Sequence, residues 1–238
     1  MAQPGLKVLI CGTANSGKTR ALKTLDPKTT LVINIDGKSF GLPIPHKNFA
    51  SFPDIESFIF GYTDGDGVQQ PGIVSAMESF KDKLGTYPKT VVLDTISRVY
   101  SIIGDNCETK YKNFDIHTNK SKEVAKINNF LQTQLVDNGI NLVLLSHVHW
   151  DSESSIWKDS STGAFAKTGG VLSTFDNAVF FEAKNKKYTV TTRGPGLPCR
   201  TLLAESELPT LYKADDYSLA EHLAKLEATN SEISDFIL

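Results

Sequence analysis

Residues 12–19, Gly-Thr-Ala-Asn-Ser-Gly-Lys-Thr, follow the apolar run LKVLIC without a break. This G-x-x-x-x-G-K-[ST] pattern works in one local geometry, a strand that hands the chain through a glycine loop to a helix N-terminus. The glycines let main-chain N–H groups curl around a β-phosphate where side chains would obstruct it, and the helix adds its positive end. Gly12, Thr13, Ala14, Asn15, Ser16, Gly17, Lys18 and Thr19 are therefore the expected nucleotide-binding residues. Lys18 is placed to reach the β- and γ-phosphate oxygens, and the Thr19 hydroxyl to ligate Mg²⁺.

The remaining pattern fits that start. Four more short apolar runs end in turn or acidic residues: TLVINIDG, KTVVLDT, INLVLLSH and NAVFFEA. Such runs suit strands buried on both faces of a parallel sheet. Helical spacing appears over Lys18–Leu25, Pro71–Leu84 and Ser121–Val136, and strand–helix alternation predicts a doubly wound, mainly parallel α/β fold. From about Val179 the sequence predicts two or three antiparallel strands, closing the core with a hairpin. From Tyr217 it predicts one amphipathic helix and a loose end, SEISDFIL. The expected division is a core over 1–210 and a C-terminal helix and tail over 211–238. Segments 61–72, 106–120 and 149–170 are expected to be loops, the last long enough to suggest a functional role.

At 238 residues, 40% hydrophobic and 22% charged, the chain has the composition of a soluble globular protein with room for one large domain. No apolar run reaches membrane-spanning length, and the N-terminus reads as a strand and not a signal peptide. Cys11, Cys107 and Cys199 are far apart with no CxxC pair, which argues against a disulfide framework or zinc site and for a reducing cytoplasm. The net charge of −2 gives no global nucleic-acid signature, so contact with DNA or RNA requires a local patch.

Asp94 ends the run TVVLD, where open α/β sheets bind ligands, and is expected to hold the metal's water shell. Residue 95 is Thr, so the common glutamate directly after the metal aspartate is missing. Asp36, closing the next strand after the glycine loop, is the alternative carboxylate for orienting or deprotonating the attacking water. A turn role before Gly37 accounts for it equally well.

In motif order and spacing, residues 6–200 resemble the RecA-like ATPases. The pieces are GTANSGKT, INIDG, VVLDTISR, LLSHVH and YTVTTRGPGLP. More closely, they resemble the short, mostly phage-encoded proteins that consist of the ATPase core alone, including single-strand annealing recombinases (AAA-type phage nucleotide-binding proteins). That group more often carries Glu where this chain has Asp36, which implies slower hydrolysis here. The resemblance implies ATP and Mg²⁺ as cofactors, His147 or Ser146 as a γ-phosphate sensor, and a ring or filament with ATP at subunit junctions. Lys184, Lys186 and Arg193 would then complete the neighbouring subunit's site. The 149–170 segment would face the channel, with Lys158 and Lys167 tracking phosphates and Trp157 or Phe165 stacking on unpaired bases. Lys110, Lys112, Lys120 and Lys122 would widen the basic track. The implied activity is DNA-stimulated ATP hydrolysis in recombination, annealing or repair. Implied partners are single-stranded DNA, further copies of the chain and a single-strand-binding protein, in the cytoplasm (the host's, if phage-encoded) and without a membrane.

Other classes fit less well. A signalling GTPase would show D-x-x-G after the metal aspartate and an [NT]-K-x-D guanine reader, and neither is present. A small-molecule kinase normally clamps phosphates with several arginines, and only Arg20, Arg98, Arg193 and Arg200 occur. A DnaB-like helicase motor needs another domain. A nucleotide-dependent switch that does not bind DNA remains open on the acidic balance.

Overall fold

The structure, a computed structural model, describes residues 3–159, 161, 165 and 170–234, with the backbone alone for 232–234. Its centre is a run of parallel strands. In chain order these are β1 (Lys7–Gly12), β2 (Thr30–Asn34), β3 (His46–Asn48), β6 (Thr90–Asp94), β7 (Asn141–Asp151) and β9 (Asn177–Lys184). Two short strands, β4 (Tyr62–Thr63) and β5 (Gln69–Gln70), form a separate hairpin. With β8 (Ile156–Asp159), β10 (Lys187–Thr191) and β11 (Leu211–Lys213), the main sheet has the order β11-β10-β9-β1-β7-β6-β2-β3, and β8 pairs with the far end of β7.

The five apolar runs become strands because each buries both of its faces. Along β1, Leu9 and Cys11 enter one hydrophobic layer while Val8 and Ile10 enter the other. The same alternation places Phe180 and Phe181 of β9 on opposite sides of the sheet. The first layer is closed by α2 (Ile55–Phe60), α3 (Ile73–Leu84), α4 (Ile96–Lys110) and α5 (Phe114–Phe130). The second is closed by α1 (Lys18–Ala21), the 3₁₀ turn after it and α6 (Leu219–Ser234), whose Leu219, Leu223 and Leu226 pack with Leu22 and Val8. The expected mainly parallel, doubly wound α/β fold is therefore the fold of this chain. Its C-terminal antiparallel hairpin is β9–β10, joined at Asn185 and Lys186 with φ of 51° and 60°.

Local expectations change in four places. Residues 106–120, expected as loop, are helical apart from a short break near Asn113 (φ 54°). The polar residues that hid the periodicity are used as anchors: Asn106 Nδ2 donates to Phe52 O at 2.8 Å, and Lys110 Nζ to Pro53 O at 2.7 Å. The helix expected to begin at Ser121 thus begins at Phe114, and it passes into a π-helical turn over Leu131–Leu135. Segment 61–72 holds the β4–β5 hairpin, its turn tied by Asp64, which accepts from Asp66 N, Val68 N and Gln70 Nε2. Finally, segment 149–170, expected as loop, carries the end of β7 and all of β8, which pair antiparallel from Val148 opposite Asp159 to Asp151 opposite Ile156.

Candidate nucleotide site

The glycine loop leaves β1 against β9 with no room to spare. A Cβ on Gly12 would lie 2.2 Å from Phe181 O, so only glycine lets the two strands run side by side here. Asn15 (φ 59°) and Gly17 (φ 95°) supply the left-handed turns that curl the loop. Ser16 Oγ donates to Thr13 O at 2.8 Å and fixes the curl. Helix α1 begins at Lys18, so its free N–H groups face the hollow of the loop.

One helix and two strands bring polar side chains to this hollow. Lys18, on α1, is buried and its Nζ donates to Gly12 O at 3.1 Å and Thr13 O at 2.8 Å. From β7, His147 Nδ1 lies 3.2 Å from the same ammonium. From β6, Asp94 Oδ2 accepts the Thr19 hydroxyl at 2.8 Å. Burial lowers the Lys18 pKa to about 8, opposed chiefly by the Asp94 charge. Burial also raises the Asp94 carboxyl, opposed by the Thr19 hydrogen bond. His147 is pushed down by burial and then by the Lys18 charge, so its neutral Nδ1 is the acceptor for that ammonium.

Asp36 sits in the loop after β2 and pairs with Lys38 Nζ at 2.8 Å. Asn34 organises this loop, donating to Lys38 O at 2.9 Å and to Asn48 Oδ1 at 2.7 Å. Lys18, Thr19, Asp36, Lys38, Asp94 and His147 together line an open cleft of about 380 Å³ that also takes in Asn15–Arg20 of the loop. A larger apolar groove, about 860 Å³, is lined by Phe60, Met77, Phe130 and their neighbours and by none of the motif residues.

The donor set fits a magnesium nucleotide: a glycine cradle with no Cβ in the way, a buried lysine, and a hydroxyl and carboxylate already within hydrogen-bond distance of each other. Among the described residues no cluster of three or more His, Cys, Asp or Glu is poised for a metal, so a cation bound at Thr19 and Asp94 would complete its shell with phosphate and water oxygens.

Sequence reasoning missed Ser97, which is buried and joins α4 to β7. Its Oγ accepts from His147 N at 2.8 Å and lies 3.2 Å from Ser146 Oγ. Its signal was the serine of DTIS, the second residue of α4. Thr95, in the same motif, caps that helix by accepting from Arg98 N at 3.2 Å.

The expected outer residues lie elsewhere. Lys184 and Lys186 are exposed at the β9–β10 turn. Arg193 donates to Leu203 O and Leu208 O of its own chain, both at 2.7 Å. In the β7–β8 hairpin Trp157 is half-buried, its ring 4.8 Å from that of Phe180, while Phe165 lies 6.0 Å from Tyr100. Lys158 pairs with Asp151. The exposed aromatic of this hairpin is Trp150, which the sequence reading did not single out. Lys167 lies outside the described residues.

A glycine loop on a central parallel strand, a lysine at its end and a threonine–aspartate pair beside it define a P-loop NTPase. Within that class, the profile described as AAA domain matches residues 4–155, and the chain belongs to this family. Its activity is accordingly nucleotide-dependent. No curated protein matches the chain closely enough to count as a relative. Among the described residues no helix is long and apolar enough to cross a membrane.

Proposed function

We propose that the chain is a RecA-like ATPase of the core-only, phage-type recombinase kind, which binds and slowly hydrolyses ATP with Mg²⁺ while acting on single-stranded DNA. One observation carries this reading. Strand β7 lies between β1 and β6, sets His147 against Lys18, and then runs on without interruption to Trp150 and the β7–β8 hairpin. A γ-phosphate sensor and an exposed aromatic thus share one strand, the coupling a nucleotide-driven DNA-binding protein needs. The bound cation would neutralise phosphate charge at Thr19 and Asp94. Asp36 is the carboxylate available to orient water, and its short side chain accords with slow turnover.

Assembly into a ring or filament belongs to the same proposal, with Lys184 and Lys186 exposed for a neighbouring site. Arg193 is the weaker trans candidate, because its guanidinium already serves two carbonyls of its own chain. A kinase reading gains nothing from the arginines: Arg20 turns to Asp215 at 3.1 Å and Arg200 to Leu172 O. The deciding experiment is ATP hydrolysis with and without single-stranded DNA, alongside a solution size measurement. Stimulation together with a multimer supports the reading. Hydrolysis indifferent to DNA, with no mobility shift of the oligonucleotide, overturns its DNA half.

A further inference from the structure

The cation that Asp36 holds has no duty in that scheme. Lys38 Nζ and Asp36 Oδ2 are 2.8 Å apart, the lysine side chain being 73% exposed and the aspartate 24%. Both line the cleft with Lys18, Asp94 and His147. An ion pair this open to solvent contributes little and is easily exchanged for a stronger partner. A carboxylate with an ammonium on one oxygen is a poor acceptor for a water proton, so the empty cleft holds its water-orienting group in check.

The other cations lining the cleft are placed differently. Lys18 is buried and fixed by Gly12 O, Thr13 O and His147, and Arg20 pairs with Asp215, which is not a residue of the cleft. Among the described residues, Lys38 is the exposed cation of the cleft lining whose ion-pair partner is itself a cleft residue. A triphosphate carries its most concentrated negative charge on the γ-phosphate, and the cleft it would enter is lined by His147 and Asp36 as well as Lys38.

We propose that Lys38 is a second phosphate-binding lysine, acting within its own subunit: it leaves Asp36 for the γ-phosphate when ATP binds, and so frees Asp36 to align the attacking water. In the step that follows, a water oxygen forms a bond to the γ-phosphorus as the bond to the β–γ bridging oxygen breaks. The electron pair leaves on ADP, and one water proton passes to Asp36 and then to solvent. ATP⁴⁻ and water give ADP³⁻, HPO₄²⁻ and H⁺. With ADP in the cradle nothing draws Lys38 away, and the pair re-forms. The loop can make this exchange without unfolding, because Asn34 holds its main chain through Lys38 O and leaves the side chain loose.

This inference rests on Asp36 acting in ATP hydrolysis, and the test separates the two. Single-turnover hydrolysis and the Kd values of ATP and ADP are measured for wild type, Asp36→Asn, Lys38→Met and Lys38→Arg. Asp36→Asn hydrolysing like wild type removes the premise. With Asp36→Asn inactive, the expected result for Lys38→Met is a fivefold or larger loss of ATP affinity, unchanged ADP affinity and at least tenfold slower hydrolysis, with Lys38→Arg restoring most of both. Lys38→Met that keeps the wild-type ratio of ATP to ADP affinity and the wild-type rate overturns the proposal while leaving Asp36 in place. An equal loss for ATP and ADP overturns it too, since that marks a merely structural role.

Discussion

Thr19 Oγ1 donates a 2.8 Å hydrogen bond to Asp94 Oδ2 across a sequence separation of 75 residues. The pair joins the first turn of α1 to the end of β6, and both oxygens face the phosphate cleft. Without a cation the threonine proton partly compensates a carboxylate that burial makes hard to ionise. On the proposed reading, a bound cation would draw the same two oxygens to itself.

Asp94→Asn is therefore expected to abolish magnesium-dependent hydrolysis while leaving metal-free nucleotide binding within a few-fold of wild type. Thr19→Ala removes the one hydroxyl donor to a buried carboxylate, at a cost of about 1–3 kcal/mol in the apo protein. Urea melts with and without MgADP check both, and a Thr19→Ala protein as stable as wild type would show that the bond carries no load.

Lys18→Ala should eliminate nucleotide-dependent activity. The wild-type lysine also makes a sharper, pH-dependent claim. Its pKa is about 8 when the cleft is empty, and a triphosphate raises it by favouring the ammonium. The bound state then holds more protons than the free state above pH 8, so affinity falls as pH rises through that value, approaching tenfold per unit. Calorimetry in two buffers of different ionisation enthalpy should report proton uptake near pH 8.5 and none near pH 6.5.

His222, on α6, is fully buried, its Nδ1 2.8 Å from Tyr217 Oη and its Nε2 without a partner among the described residues. Burial lowers its pKa from 6.5 to about 4. The unfolded chain therefore binds the proton first: stability is full above pH 6.5 and falls as the pH drops towards 4. The loss attributable to this group is at most about 3 kcal/mol. His222→Gln should flatten the denaturant midpoint across that window relative to wild type.

The two tryptophans of the hairpin should separate in fluorescence. Trp150 is half exposed, while Trp157 packs on Phe180. If the hairpin grips single-stranded DNA, quenching on oligonucleotide addition is expected to disappear in Trp150→Phe and to persist in Trp157→Phe. Trp157→Phe should instead cost about 1–2 kcal/mol of stability, and quenching lost only in that variant would reverse the assignment.

The glycine loop, the five core strands and the place of Asp94 were legible because each depends on local rules: a glycine where Phe181 O approaches, apolar runs where both strand faces are covered, an acid at a strand's carboxyl end. What was hidden depends on partners distant in sequence. The polar turns of α4 looked like loop because Asn106 and Lys110 spend their side chains on Phe52 O and Pro53 O, far along the chain. The packing of Trp157 was hidden because nothing in its neighbourhood of sequence announces Phe180. Lys38 was an ordinary turn lysine until the fold set it over the phosphate cleft. Ser97 shows the intermediate case, a residue inside a recognised motif whose partner lies 50 positions away.

Strand β7 extends from Asn141 to Asp151 as one piece, with the imidazole of His147 near its middle and Trp150 close to its end. On the proposed reading this strand couples cleft and hairpin, and such a coupling works in both directions. Any ligand that shifts the hairpin and thereby changes the grip on ATP must, by thermodynamic reciprocity, be gripped or released by the same factor when ATP binds. Loading fuel and seizing cargo are then two ends of a single equilibrium, and a measurement of either gives the magnitude of the other.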